Sequence, residues 1–443
     1  MTSKSHIGLG VSLPSTCLLY VSFVFLFLGP LQTFDYQPAY IASPNEFKIA
    51  LGLFISLIVA LVLPTEKQSP IAVFLWLLFL LMILPRIVLT GCRDLPIMYI
   101  LCTLFAFLLV VGIAKIMKPR PVPRLFKLDT TAVKARNVAI GIFGILAVVL
   151  TCYLVLFEGF PGFGAFSSDL VYEIRAEASN STLVSVSLSL FSSFIGPLVL
   201  IYCFVYRRVA LAILVTLWLI FLFLYVAMKT WLLVLALLWF LFLLNNFKKL
   251  HLGSMLLLFT LFFVVLAVSY CFVPEDSELQ LEVFSLFFRR LIMVPAVLGY
   301  EYFDFFLNHE TILLQNTIFS FVTPMPNEYQ VFDYQNLIAL SAFGTSEMWA
   351  NTGLFGSEYA QFGLPSVFII IANLALLIYL LKRDGGFKVS EFLLYSAVLI
   401  PFLLLNSSTV RFLFSYTGII GIVFFVILLT SFVRYHESMI DRH

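Results

Sequence analysis

The chain reads as an all-α, polytopic membrane protein with about 12 transmembrane helices and one large loop late in the sequence. Composition is the first observation behind that reading. Of 443 residues, 62% are hydrophobic and 11% charged, and the mean hydropathy is +1.05. Soluble domains carry roughly 25% charged residues, so a water-exposed globule of this size is excluded. The second observation is block length. Apolar residues come in runs of about 18–22, enough to cross roughly 30 Å of hydrocarbon as a helix. Only helices and closed barrels satisfy every backbone polar group in lipid, and alternating ten-residue strands are absent. The third is a charge asymmetry between alternate loops, developed below.

The apolar blocks fall at 13–32, 47–64, 70–90, 96–117, 138–157, 183–205, 209–227, 230–244, 252–273, 363–381, 391–407 and 410–432. The stretch 209–244 is too long for one crossing at 1.5 Å per residue. It is expected to be a hairpin turning near Met228 and Lys229. No small-residue cleavage pattern follows the first block, so it is expected to be a retained span. The chain then divides into 1–273, spans one to nine with short loops; 274–362, the large loop; and 363–443, spans ten to twelve with a tail.

With the N-terminus inside, the inward pieces hold 18 of the 26 Lys and Arg. They hold 6 of the 24 Asp and Glu, counting Glu391 at the inner end of a span. Net charge is +12 inside and −10 outside, which agrees with the positive-inside rule. Both termini are expected to be cytoplasmic. The segment from Lys115 to Lys127 alone carries five cations and no acid. The six cysteines show no metal-ligand spacing. Four lie in spans, and a disulfide between Cys92 and Cys271, near the outer face, is not favoured.

Eight cations fall on the side where positive charge is disfavoured: Lys48, Arg86, Arg93, Arg175, Lys229, Arg289, Arg290 and Arg411. Charge near the membrane interior is expensive and tends to be functional. One reading is an anionic ligand at the outer leaflet, because guanidinium groups give bidentate bonds to phosphate oxygens. The other is pairing with outward acids or snorkelling to headgroups. Lys48, beside Glu46, best suits that second reading. Arg411 follows the polar run Asn406-Ser-Ser-Thr409.

Within 274–362, an acidic lead-in of Glu275, Asp276, Glu278 and Glu282 precedes an aromatic stretch from Val283 to Phe306. That stretch is too polar to span comfortably and is expected to lie at the interface. Pro295 is expected to break or kink it. His309 is the one outward histidine and a candidate proton acceptor. Farther on, Glu347 and Asn351 share a face at i, i+4 if helical. Glu358 sits at the mouth of the tenth span.

Three pieces of this segment carry a resemblance: Arg289-Arg-Leu-Ile-Met-Val-Pro-Ala, Tyr300-Glu-Tyr-Phe-Asp-Phe-Phe, and Ala350-Asn-Thr-Gly-Leu-Phe-Gly-Ser-Glu-Tyr-Ala-Gln-Phe-Gly. Together they resemble bacterial O-antigen polymerases of the Wzy type, which also have about twelve spans and a large late periplasmic loop. The features carried over fall on Arg290, Pro295, Tyr300, Tyr302, Asn351, Gly353 and Glu358. Glu358 stands where Asp is the more familiar acid. The motifs cover about 80 residues; the remainder is similar only in hydropathy and topology.

The resemblance implies a GT-C-like glycosyltransferase in the bacterial inner membrane, with its active site facing the periplasm. It would move a growing glycan from undecaprenyl diphosphate to the next undecaprenyl-diphosphate-linked repeat unit, in lipopolysaccharide O-antigen biosynthesis. Arg290 and Arg289 would stabilise charge developing on the diphosphate. Arg175, Arg86, Arg411, Lys229 and Arg93 would be further clamps. Glu358, Glu347 and His309 are the candidate proton acceptors, in that order. Tyr300, Tyr302 and Asn351 would meet sugar, as would Trp349. No Asp-x-Asp pair or histidine cluster suggests a metal, so no cofactor is expected. Implied partners are the lipid-linked oligosaccharides, membrane lipid and a chain-length-determinant membrane protein, with no nucleic acid. Three other classes remain open: an O-antigen ligase acting on lipid A core, a lipid-linked oligosaccharide flippase, and a structural scaffold. A flippase would keep charges deep in its spans, whereas here they lie at the outer edge.

Overall fold

The computed structural model describes residues 9–122, 129–159, 182–226, 229–246, 251–272, 282–314, 317–321, 323, 325–326, 329, 333–345, 350, 352–405 and 407–440. Almost all of them are helical. Among them, eight helices are long and apolar enough to cross a bilayer, and four shorter apolar helices accompany them. The protein is therefore a multi-pass, all-α membrane protein. Many large apolar side chains point outward along these helices, including Phe54, Leu156, Leu214 and Phe368. In lipid that exposure carries no hydrophobic penalty. All six cysteines are free.

The chain forms two compact units. The first takes Met1–Lys118, Lys249–Leu380 and Ile400–Arg411; the second takes Pro119–Lys248, Leu381–Leu399 and Phe412–His443.

In the first unit, α1 (Leu9–Leu28) packs against α2 (Glu46–Val62). Asn45 caps α2 by accepting the Lys48 backbone N–H at 3.1 Å. The next helix, α3 (Pro70–Cys92), is buried along its whole length. Small residues let these helices approach closely. A Cβ on Gly91 would lie 2.8 Å from Ile49 Cγ1, and one on Gly52 2.5 Å from Tyr20 Oη. Tyr20 in turn donates to Ile49 O at 2.7 Å. Beyond α3 come α4 (Ile97–Ile116), α5 (Leu252–Phe272) and α6 (Glu282–Asn308). Phe23 of α1 meets Phe263 of α5 and Phe288 of α6 edge-on, at 5.0 and 5.6 Å.

Helix α6 corrects one expectation. The stretch read as interfacial is a continuous helix with the length and composition of a span, half of it buried. Its buried stripe is Phe284, Phe288, Ile292, Met293, Ala296 and Val297. Arg289 and Glu301 lower its mean hydropathy, yet both find partners within the unit. Two further helices of this unit, α7 (Tyr334–Phe343) and α8 (Gly356–Phe362), pack on α6 before α9 (Ser366–Leu381) begins.

Pro295 does not break α6, and the reason recurs. A proline removes an N–H, and its ring clashes with the carbonyl four residues back. Wide π-type turns at Phe79–Ile83, Phe191–Ile195 and Ser285–Met293 each end two residues before a proline. The residue just before each proline donates five back instead of four: Leu84 to Phe79, Gly196 to Phe191, and Val294 to Arg289. The wide turn makes room for the rings of Pro85, Pro197 and Pro295.

The second unit holds α10 (Asp129–Tyr153), a helix over 182–205, and the pair Val209–Val226 and Lys229–Asn246. That pair forms the expected hairpin; its turn at 227–228 lies outside the described residues. Indole donors are satisfied by threonines, Trp218 on Thr151 at 3.0 Å and Trp239 on Thr216 at 2.8 Å. A two-residue parallel ladder pairs Arg120 with Arg383 and Pro121 with Asp384. Glu391, 5% exposed, binds Arg207 at 3.0 Å and Asn245.

Candidate functional site

The segment carrying the family resemblance is held flush against its neighbours by glycines. A Cβ on Gly353 would lie 2.2 Å from the carbonyl oxygens of Leu404 and Leu405. A Cβ on Gly356 would lie 2.6 Å from Thr352 Oγ1 and 3.2 Å from Gly299 Cα. Leu354 N–H donates to Leu404 O at 2.9 Å. Between them Phe355 has φ +78° and ψ −50°, a conformation that costs a non-glycine residue about 1–3 kcal/mol.

Two buried charges hold this bend. Arg86, 1% exposed, donates from Nη2 to Leu354 O at 2.7 Å, from Nε to Tyr99 Oη at 2.8 Å and from Nη1 to Met82 O at 3.1 Å. Its guanidinium carbon lies 4.8 Å from the Phe355 ring centre. Glu358 is fully buried. Its Oε2 accepts from Phe355 N–H at 2.9 Å, and its Oε1 from Thr409 Oγ1 at 2.8 Å and from Thr409 N–H. Burial raises the Glu358 carboxyl above its usual range, and the donors of Thr409 and Phe355 oppose that rise. Asn373 Nδ2 donates to the same Thr409 hydroxyl at 3.0 Å. Glu358 thus ties α8 to α9 and to the short helix Thr409–Phe414.

A small polar cleft opens beside this network. Tyr302 of α6, with Tyr334 and Gln335 at the start of α7, lines one side. Thr352, Ser357 and Gln361 line a second, and Ser407, Ser408 and Arg411 a third. Most of the polar atoms have partners. Tyr302 Oη donates to Ala350 O at 2.6 Å, and Ser357 Oγ to Thr352 O at 2.8 Å. Arg411 N–H donates to Ser408 Oγ at 2.8 Å, and the Arg411 side chain is exposed. Two atoms have none: Thr352 Oγ1 and Gln361 Oε1. Each such buried orphan costs about 1–3 kcal/mol.

Of the expected site residues, Tyr302 and Arg411 line this cleft, and Glu358 lies just behind it. Arg86 does not reach a surface; the expected outward clamp instead holds Leu354. Arg93 pairs with Glu301 at 2.9 Å and lies 5.7 Å from the Tyr300 ring centre. Lys48, as expected, is structural, with Asp94 at 2.7 Å. Lys48 and Asn45 hold the Asp94 carboxyl below its usual range.

Arg289 and Arg290 lie about 18 Å farther along α6 than Tyr302, at 1.5 Å per residue. They do not share the cleft. Arg289 donates to Ser285 Oγ at 3.0 Å and lies over Phe34 at 4.4 Å. Both arginines act on the buried Tyr40, whose hydroxyl burial pushes up to about 12 against their charge. His309 is exposed and stacked on Phe305 at 3.8 Å. Its Nδ1–H donates to Phe305 O at 2.8 Å. Arg175, Glu347, Trp349 and Asn351 lie outside the described residues, as does the side chain of Lys229.

The residues that sequence reasoning missed are the neutral ones: Gln335, Thr352, Ser357, Gln361, Ser407 and Ser408. Thr352, Ser357 and Gln361 lie within the 350–363 stretch that carries the resemblance, and Ser407 and Ser408 in a polar run between apolar blocks; Gln335 carried no signal. No protein-family model, curated protein or solved structure matches the chain.

Proposed function

We propose that the protein is a membrane glycosyltransferase of the O-antigen polymerase type. It transfers a growing glycan from undecaprenyl diphosphate to the next lipid-linked repeat unit. One observation carries the reading: Tyr302, the 350–363 motif and Arg411, far apart in sequence, meet around one polar cleft. In this reading the architecture is GT-C-like with about twelve spans in the inner membrane. The cleft faces the periplasm in this reading.

A hydroxyl of the incoming unit attacks the anomeric carbon of the growing glycan. The carbon–oxygen bond to the diphosphate breaks, and the lipid diphosphate leaves with the bonding pair. The attacking hydroxyl releases its proton to solvent. Arg411, exposed at the cleft, stabilises the negative charge on the leaving group. Glu358 acts as a positioning residue, because its oxygens are taken by Thr409 and Phe355. The arginine pair on α6 serves the diphosphate of the second lipid-linked substrate.

Lipopolysaccharide gels from cells lacking the gene test the reading. Polymerase loss leaves core with one repeat unit. Bare core would make the protein a ligase, and units trapped inside would make it a flippase. Either result overturns the proposal.

A further inference from the structure

The second unit gathers cations that the proposed reaction does not use. Tyr206, Arg207 and Arg208 form the turn after the candidate span Val186–Val205. Arg208 N–H donates to Cys203 O at 2.9 Å and Arg207 N–H to Phe204 O at 3.0 Å. These two bonds close a helix whose next residue is left-handed. That residue is Arg207, at φ +56°. The turn sets the two arginines on different partners. Arg207 pairs with Glu391 at 3.0 Å, and the Arg208 guanidinium carbon lies 5.9 Å from the Tyr206 ring centre. Two other segments bring cations to the same ring. Arg136 opens the candidate span Arg136–Phe157; its guanidinium carbon lies 5.9 Å from the ring centre, and its Nη1 donates to Tyr206 Oη at 3.4 Å. Lys388, second in the span Phe387–Leu404, has its Nζ 4.2 Å from that centre.

Charges at 4.2 to 5.9 Å from one point are no more than about 12 Å from each other, little beyond a Debye length. The ring face offsets part of their repulsion. Lys388 carries a further cost, because it lies in the first turn of its helix, where the dipole disfavours a cation. Glu391 offers little relief: its Oε1 already accepts from Arg207 and Asn245. An excess of cations at one face of a membrane protein needs no ligand by itself. Such side chains ordinarily snorkel apart into water and headgroups. Here packing holds them together. Arg136 Nε and Nη2 both donate to Asn137 Oδ1, at 3.1 and 2.8 Å. Tyr206 packs on Tyr202 and Phe432, with ring centres 4.7 and 5.3 Å away.

The position narrows the anion. All three segments meet where an apolar span ends, which is the depth of lipid headgroups. The anion at that depth is a phosphodiester. Guanidinium forks match its oxygens, and basic pockets between helix ends are suited to anionic headgroups. We propose that Arg136, Arg208 and Lys388 form a site for the headgroup of an anionic phospholipid. Three cations favour a headgroup with two phosphates over one with a single phosphate. The site belongs to the second unit alone and rests on no part of the polymerase reading.

Native mass spectrometry of the purified full-length protein in detergent tests the site. The protein is titrated with diphosphatidylglycerol, phosphatidylglycerol or phosphatidylcholine, and in parallel with inorganic phosphate. Wild type should hold diphosphatidylglycerol most tightly and phosphatidylcholine least. Arg136→Gln, Arg208→Gln and Lys388→Gln should each weaken diphosphatidylglycerol about fivefold. Lys115→Gln, at an exposed cation outside the group, should leave it unchanged. Without lipid, the thermal midpoints of the three cluster variants should hold or rise, since each removes a like charge.

Three results would overturn the site. In one, the cluster variants bind diphosphatidylglycerol as wild type does, or Lys115→Gln weakens it as much as they do. In another, the variants lose inorganic phosphate while the three lipids bind alike, which would make this a site for a free anion. In the third, the lipid-free variants unfold at lower temperature, which would mark the cations as structural.

Discussion

Replacing Arg86 with methionine separates the two roles open to that residue. The arginine makes three hydrogen bonds, to Leu354 O, Tyr99 Oη and Met82 O. Bonds from a charged donor contribute about 1.5–3 kcal/mol each, so the gross loss is about 4–9 kcal/mol. The offsetting gain is relief from burying a cation, which costs several kcal/mol even after relaxation. Tyr99 Oη also keeps a long contact to Ala296 O at 3.4 Å. The net loss is about 2–4 kcal/mol, a fall of roughly 5–15 °C in the unfolding midpoint for a unit of this size. Differential scanning fluorimetry in detergent measures it. Arg86→Lys should recover little, because an ammonium cannot reach three acceptors set in a fork. An unchanged midpoint with anion binding abolished would refute the structural assignment and make Arg86 the substrate clamp that its sequence position suggested.

Gly353→Ala should lower the midpoint by at least as much, since its methyl would sit 2.2 Å from two backbone carbonyls that have nowhere to move; an unchanged midpoint would contradict the close packing. Glu358 titrates with a raised carboxyl in the folded state, so it binds more protons folded than unfolded. Its share of stability is therefore greatest at low pH and is lost as pH rises through the interval from the ordinary carboxylate value to the folded one. Unfolding curves of Glu358→Gln against wild type should differ by that slope. Arg290→Ala, at an exposed position, should leave the midpoint within about 2 °C while shortening polymer to single repeats on a gel; normal ladders would remove Arg290 from the mechanism.

The membrane class was plain in the sequence because block length and loop charge are summed over many residues. The helix at 282–308 was not plain. Its arginines and Glu301 depress mean hydropathy, and only the fold shows Phe34, Ser285 and Arg93 beside them. For the cations, sequence could say that Arg86, Arg93, Arg289 and Arg411 were out of place. It could not say that one grips a backbone carbonyl, one pairs with glutamate, one lies over a phenylalanine and one borders a cleft. Thr352 and Gln361 lay inside the 350–363 stretch but were not singled out within it, for a different reason. Neutral polar residues are common, and what distinguishes these two is the lack of a partner in three dimensions.

The wide turns ahead of Pro85, Pro197 and Pro295 also set the angular phase of everything that follows them. An extra residue in one turn rotates the rest of a helix by about 100°. Residues after a wide turn, Tyr302 on one helix and Arg86 on another, therefore sit at an angle to the residues before it that a wheel of uniform pitch does not give. Shortening the turn before Pro295 by one residue would rotate Tyr302 relative to Phe284 and Phe288 without changing the identity of any residue that meets the cleft.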